Sequence, residues 1–175
     1  MKREAILNAA ELVLCEHGTQ ALTLSAVADR AGVSKGGLLY HFPGKEALVQ
    51  GLVHRVIEEF DTLVAAHDDG LPGSYSRAFV EATFEILTGS EGARTRRRWA
   101  GITAAAADPE LVAPLREAMV RWHRRDPGED ADPVTAMVVR LAAEGLWEVV
   151  GQNPGIFDPG RYEALRERLL SLLRS

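Results

Sequence analysis

Polar side chains that can contact nucleic acid crowd around one short segment near the start of the chain. They supply a hydroxyl, two ammonium groups, a phenol and an imidazole: Ser34, Lys35, Tyr40, His41 and Lys45. Hydroxyl, ammonium and phenol groups commonly bind phosphate and position a protein on DNA, whereas groups near the base edges discriminate sequence. The segment therefore predicts a surface that contacts DNA.

Two adjacent glycines lie inside this segment. Gly36 and Gly37 make it a poor helix, since each interior glycine costs about 1 kcal/mol relative to alanine. On a helix that enters a DNA groove, the missing side chains let the backbone approach the DNA closely. The simpler interpretation is a loop, but the flanking polar residues favour the helix.

Two short helices must position these groups. Apolar residues recur at helical spacing over 24–31, and Thr23 precedes them as a candidate N-cap. Gly32 ends that helix, and Ser34 is the candidate N-cap of a second helix over 35–42. Two helices joined by a tight glycine turn form a helix-turn-helix.

Helical periodicity continues along the chain, and no stretch alternates as a strand would. The predicted fold is all-α, with about nine helices. A three-helix helix-turn-helix module at 1–46 is joined by a long helix to a helical regulatory and dimerisation domain at 47–175. The predicted helices are 3–17, 24–31, 35–42, 45–66, 75–88, 92–106, 109–124, 133–151 and 160–173.

Composition excludes several classes of protein. The net charge of -5 argues against a protein that coats nucleic acid indiscriminately. The first 50 residues are neutral, so the acidic excess lies in the remainder. No apolar run approaches the roughly 20 residues of a membrane span, and no secretory leader precedes the first helix. Together with the single cysteine, Cys15, this predicts a cytoplasmic protein.

Catalytic chemistry finds no support in the sequence. A nucleophile paired with a base, a phosphate loop and paired metal ligands are all missing at recognisable spacing. Asp126, Asp130 and Asp132 lack the glycine and the terminal glutamate of a calcium loop and are typical of an exposed turn. We expect no enzymatic activity, no metal and no cofactor.

The second domain carries aromatic and sulfur-containing side chains that could line an apolar pocket for a small-molecule effector. For each of them, an ordinary aromatic core is an equally good interpretation. Arginine runs such as Arg96–Arg98 would suit an anionic effector or form a solvated face. The candidate ligand-binding residues are Phe84, Trp99, Thr103, Met119, Trp122, His123, Met137 and Trp147.

The last two helices carry apolar stripes that fit a homodimer interface. Small residues in the first stripe allow close approach, and two copies paired across a twofold axis would form a four-helix bundle. If the stripes instead seal the core of a monomer, the DNA-binding prediction weakens. The candidate interface residues are Met137, Val138, Leu141, Ala142, Gly145, Leu165, Leu169 and Leu172.

About 45 residues at the start of the chain resemble the N-terminal module of the TetR regulators. Two positions depart from the common pattern: Leu39 stands where a tyrosine is frequent, with Tyr40 one position later, and Gly44 replaces a small polar residue. The resemblance rests on Thr23, the run from Ala31 to Gly36, Leu38, His41, Phe42 and the run from Lys45 to Leu48.

The resemblance implies a role for each matching residue at the DNA. Lys45 would bind phosphate at the start of the fourth helix. His41 has a nearly equal alternative, which is packing beside Phe42. The implied backbone or base contacts come from Thr23, Ser25, Ser34, Lys35, Gly36, Gly37, Tyr40 and His41.

The function implied is that of a DNA-binding transcriptional regulator, a repressor released from its operator by a small-molecule effector. Its partners would be operator double-stranded DNA, the effector and a second copy of the chain. The alternative is a helical protein-interaction adaptor that retains a helix-turn-helix without sequence-specific DNA binding.

Overall fold

A computed structural model describes residues 2–89, 98–99, 101–102, 104, 110–125, 130–153 and 155–174. The described residues form eight α-helices and one short 3₁₀ turn, and none of them lies in a strand, which confirms the all-α prediction. The helices are α1 (Lys2–His17), α2 (Leu24–Ala31), α3 (Lys35–His41), α4 (Lys45–His67), α5 (Ser74–Thr88), α6 (Ala113–Arg124), α7 (Pro133–Gln152) and α8 (Pro159–Leu172).

The chain divides into two compact units. The first unit comprises residues 1–57 and 97–117, and the second unit comprises residues 58–96 and 118–175. Most of the helix predicted at 92–106 lies outside the described residues. In the part of the chain that is described, no helix has the length and apolar character needed to cross a bilayer.

The core of the first unit is built on α1. Its stripe of Ile6, Leu7 and Ala10 is at most 1% exposed, and α1 packs against both α2 and α3. Gly51 marks a close approach between α4 and this core, because a Cβ there would lie 2.7 Å from the ring of Phe42. Glycine is thus required inside a helix that it would otherwise weaken.

One arginine ties α4 to α1 within the first unit. The Arg55 guanidinium donates to Asn8 Oδ1 at 2.7 Å and to Glu11 Oε1 at 3.2 Å, and it also bonds the Glu4 carboxylate. The hydrogen bond from Arg55 lowers the pKa of Glu4. The side chain of Glu11 also lies 3.8 Å from Arg98 Nη1, so α1 holds two guanidinium groups.

The second unit is organised around aromatic rings. The ring centroid of Phe60 lies 4.7 Å from those of Trp122 and Trp147 and 5.1 Å from that of Phe79. The rings meet edge to face, the arrangement that their quadrupoles favour. Helix α5 packs against both α7 and α8, which places the aromatic ring cluster (Phe60, Phe79, Trp122 and Trp147) and the last two helices in one body.

Candidate DNA-binding and ligand-binding sites

Two side-chain caps and a glycine shape the helix-turn-helix. The Thr23 hydroxyl accepts a hydrogen bond from the Ala26 amide at 3.2 Å, and the Ser34 hydroxyl accepts one from the Gly37 amide at 3.1 Å. Between them, Gly32 adopts φ 65°, the left-handed conformation that ends α2 at low cost. Both predicted N-caps are confirmed.

Helix α3 has a buried side and an exposed side. Leu38 is 0% exposed, whereas Lys35 and Gly36 lie on the exposed side and Tyr40 is 85% exposed. Residues four positions apart share a helix face, so Gly36 and Tyr40 lie side by side. The tyrosine displaced by one position therefore still points to solvent, where it can meet a partner.

The predicted DNA-binding residues all belong to the first unit. His41 is half-buried, and its ring centroid lies 5.1 Å from that of Tyr40, so its burial fits both interpretations. Gly37 is also half-buried, and a Cβ at this position would lie 3.2 Å from the Ser34 hydroxyl. The remaining residues are exposed: Thr23, Ser25, Ser34, Lys35, Gly36, Tyr40 and Lys45.

The predicted ligand-binding residues that the structure describes lie in different surroundings. Trp122 belongs with Trp147 to the aromatic ring cluster, and its indole donates to Asp61 Oδ1 at 2.6 Å. Trp99 belongs to the first unit, and Thr103 lies outside the described residues. Met137 is 42% exposed. Phe84 lines a cavity of about 400 Å³ in the second unit.

A half-buried ion pair lies beside the ring cluster. The imidazole of His123 bonds the carboxylate of Glu144, and its ring centroid lies 5.8 Å from that of Phe79. Met119 lies on the same helix as His123 and is half-buried. The assignment of His123 and Met119 to an effector site stays a prediction.

The predicted interface residues on α7 form an exposed apolar stripe. Val138 is 57% exposed and Leu141 is 53% exposed, and Ala142 and Gly145 lie on the same open face. On α8, three predicted residues are half-buried: Leu165, Leu169 and Leu172. Because apolar surface of this extent on a soluble helix is unfavourable in water, the stripe suits a protein partner.

Two family models match the chain, the first ending inside α4 and the second beginning just before α5. Residues 6–52 match the model described as bacterial regulatory proteins of the tetR family, and residues 73–174 match the tetracyclin repressor-like C-terminal domain. The chain belongs to the TetR family.

Relatives within the TetR family match different shares of the chain. The transcriptional repressor KstR2 of Rhodococcus jostii (strain RHA1) is 30% identical over 83% of this chain and 91% of its own length. The regulator RutR of Escherichia coli (strain K12) is 33% identical over 49% of this chain. That match spans about two fifths of RutR, 41% of its length.

A solved structure reproduces the fold along almost all of the chain. The multidrug binding protein EbrR, complexed with malachite green, is 26% identical with a TM-score of 0.69. The match covers 97% of this chain and 96% of that one. The TetR-like helix order therefore extends through the second unit, where the sequence alone indicated only a helical layout.

Two features of this TetR-family chain were missed by the sequence reasoning. The Arg55 contacts to α1 join residues far apart in sequence, and no local pattern signals them. The buried Tyr162 lines the same cavity as Phe84. The aromatic pair Phe157 and Tyr162 beside the Pro159 helix start was the available signal for that site.

Proposed function

We propose that this chain is a transcriptional repressor that binds operator DNA as a homodimer in the cytoplasm. It leaves the operator when a small molecule binds the second unit. The observation that carries the proposal is the exposed side of α3, where Lys35, Gly36 and Tyr40 face solvent beside a capped glycine turn. A helix with this polar, glycine-containing face suits the major groove of DNA.

Each exposed group on this surface has a distinct role. Lys35 and Lys45 neutralise phosphates at the starts of α3 and α4. Tyr40, which is 85% exposed, reaches a phosphate or a base edge. Gly36 lets the backbone of α3 lie close to the DNA. The Ser34 and Thr23 caps hold the two helices in register for these contacts.

The homodimer forms through α7 and α8. The exposed stripe on α7 includes Val138 and Leu141, and the small residues Ala142 and Gly145 allow a second helix to come close. A twofold interface places the same stripe on both sides, so one apolar face covers the other. Two copies present two recognition helices, which read a pseudo-palindromic operator.

Regulation requires the ligand to prefer one arrangement of the protein. A ligand that binds both arrangements with equal affinity does not change their relative populations, however tightly it binds. Helix α4 is continuous, with residues 45–57 in the first unit and 58–67 in the second, and can transmit such a preference. EbrR, a structural relative, is a multidrug binding protein, which supports a small-molecule effector here.

The test is a fluorescence anisotropy titration of DNA from the promoter beside the gene of this chain. Wild type should bind this duplex more tightly than a scrambled duplex, with a strong dependence on salt. Lys45→Ala should weaken both and lower the salt slope by about one unit, because one fewer phosphate is neutralised. Arg168→Ala is the control: it removes the same charge from an exposed position on α8 of the second unit.

If the chain binds both duplexes with the same affinity and without dependence on salt, the proposal is contradicted. Such a result would favour the alternative of a protein-interaction adaptor. An equal change in slope for Lys45→Ala and Arg168→Ala would show that net charge, rather than the α4 start, sets the salt dependence. The expected result is a reduced slope for Lys45→Ala alone.

A further inference from the structure

A cavity in the second unit lies between the end of α5 and the start of α8. Its volume is about 400 Å³, within the range of roughly 300 to 1,000 Å³ typical of small-molecule sites. Phe84 and Leu87 of α5 line it with side chains that are 2% and 3% exposed, and Phe157 and Tyr162 line it from the other side. The cavity is separate from the aromatic ring cluster, none of whose residues lines it.

Tyr162 contributes to this cavity a buried polar residue whose hydroxyl is not hydrogen-bonded to any described residue. The residue is 7% exposed, yet its hydroxyl meets no hydrogen-bond partner among the described residues. The other buried tyrosine of the second unit behaves in the ordinary way, since the Tyr75 hydroxyl donates to the Trp122 carbonyl at 3.1 Å. Buried polar groups are nearly always satisfied, so a ligand that reaches the Tyr162 hydroxyl would supply the partner that it lacks among the described residues.

We propose that this cavity binds a small planar aromatic molecule that accepts a hydrogen bond from the Tyr162 hydroxyl. The rings of Phe157 and Tyr162 meet edge to face with centroids 5.6 Å apart, a geometry that a third ring can extend. The Thr88 hydroxyl at the rim is already used, because it donates to the Phe84 carbonyl at 2.7 Å. One hydrogen bond to Tyr162 therefore sets the orientation of the ligand.

Charge at the rim selects against anions. Glu163 lines the cavity and accepts from Arg166 at 3.0 Å, while Glu81 accepts from the same guanidinium at 2.6 and 2.7 Å. Two carboxylates share one guanidinium, which leaves an excess negative charge in this group. A carboxylate ligand would be repelled, whereas a neutral or cationic aromatic molecule is accepted.

The position of the cavity links it to the proposed interface. The Arg166–Glu81 ion pair joins α8 to α5 beside the cavity, and α8 also carries Leu165 and Leu169. A ligand that changes the packing of α8 on α5 would therefore alter the helix assigned to the dimer. The use of this cavity as the effector site rests on the proposed function, whereas its occupancy by an aromatic ligand does not.

Calorimetry with two probes of the same shape tests the assignment. Quinoline carries a ring nitrogen that accepts a hydrogen bond, and naphthalene has none. Both should bind the wild-type chain, and Tyr162→Phe should reduce the preference for quinoline over naphthalene by about 2- to 10-fold, the worth of one net hydrogen bond. Comparing the ratio between proteins cancels the different hydration of the two probes.

Two further variants sharpen the result. Tyr75→Phe removes a hydroxyl from the same unit outside the cavity, and the probe preference should remain at the wild-type value. Thr88→Trp places a large ring at the rim and should abolish binding of both probes. If neither probe binds wild type, or Tyr162→Phe leaves the preference unchanged, the assignment is overturned.

Operator binding separates this inference from the proposed function. Anisotropy with the promoter duplex, repeated with quinoline, asks whether the occupied cavity weakens DNA binding. Selective operator binding without quinoline binding would refute the cavity alone. Quinoline binding that depends on Tyr162, in a chain that does not select the promoter duplex, would refute the repressor and leave the ligand site standing.

Discussion

The two glycines of α3 differ in what a methyl group would meet, and this difference isolates the contact with DNA. A Cβ at Gly36 meets no atom within 4 Å, whereas a Cβ at Gly37 would lie 3.2 Å from the Ser34 hydroxyl. That hydroxyl caps the helix by accepting from the Gly37 amide. Gly36→Ala thus changes only the exposed surface of α3. Gly37→Ala also brings a methyl group against the Ser34 hydroxyl that caps the helix.

The expected changes in stability follow from these surroundings. Gly36→Ala should raise the free energy of unfolding by up to about 1 kcal/mol, the gain in helix propensity. At Gly37 the same gain is opposed by displacement of the Ser34 cap, which is worth about 0.5 to 2 kcal/mol. We therefore expect Gly37→Ala to be neutral or destabilising in urea denaturation.

DNA binding should move in the opposite direction at Gly36. If the backbone of α3 lies against the DNA, the added methyl group forces the two apart, and operator affinity falls about tenfold or more, equivalent to 1.4 kcal/mol. The assay is anisotropy on the promoter duplex with protein shown to be fully folded. A Gly36→Ala protein that is more stable and binds operator as tightly as wild type would refute the close approach.

Three further predictions concern stability and assembly. Gly51→Ala should destabilise the first unit by about 1 to 3 kcal/mol in urea denaturation despite its better helix propensity, because its Cβ would press on the buried Phe42 ring; unchanged stability would contradict the tight packing. Leu141→Glu should yield a monomer by light scattering, and a persistent dimer would show that α7 is not the interface. Glu4→Gln should cost stability at neutral pH, and this cost should shrink in acid. Arg55 holds the pKa of folded Glu4 below its ordinary value of 4.5, so the stabilisation is present above the unfolded pKa and is lost as the pH falls through the folded one. A cost that is constant with pH would rule out the ion pair as its source.

Features set by neighbouring residues could be predicted from the sequence. Thr23 and Ser34 each cap the helix that follows, because the amide that each accepts lies three residues ahead. Helix α4 was predicted at 45–66 and ends at His67. The helix predicted at 109–124 begins later, at Ala113, because residues 110–112 form a turn and Pro114 suits the first turn of a helix.

Features set by packing between distant helices could not be predicted in the same way. Trp122 and Tyr162 are both aromatic residues on helices, yet one has Phe60 and Asp61 as partners and the other faces a cavity. Only the meeting of α5 with α8 creates that cavity. The spacing of apolar residues predicted the stripe on α7. Whether the stripe faces the core or solvent depends on which face of α7 packs against α5, and the spacing does not determine this. The exposure of Leu141 favours the outward interpretation.

In the proposed homodimer, two copies of this chain read DNA through paired copies of α3. Its most direct test is selection of duplexes from a random pool by the purified chain, followed by sequencing. The selected duplexes should contain an enriched pseudo-palindrome whose half-sites lie one helical turn apart, about 34 Å, or a small multiple of it. A pool without an enriched motif, or with a single asymmetric half-site, would contradict it.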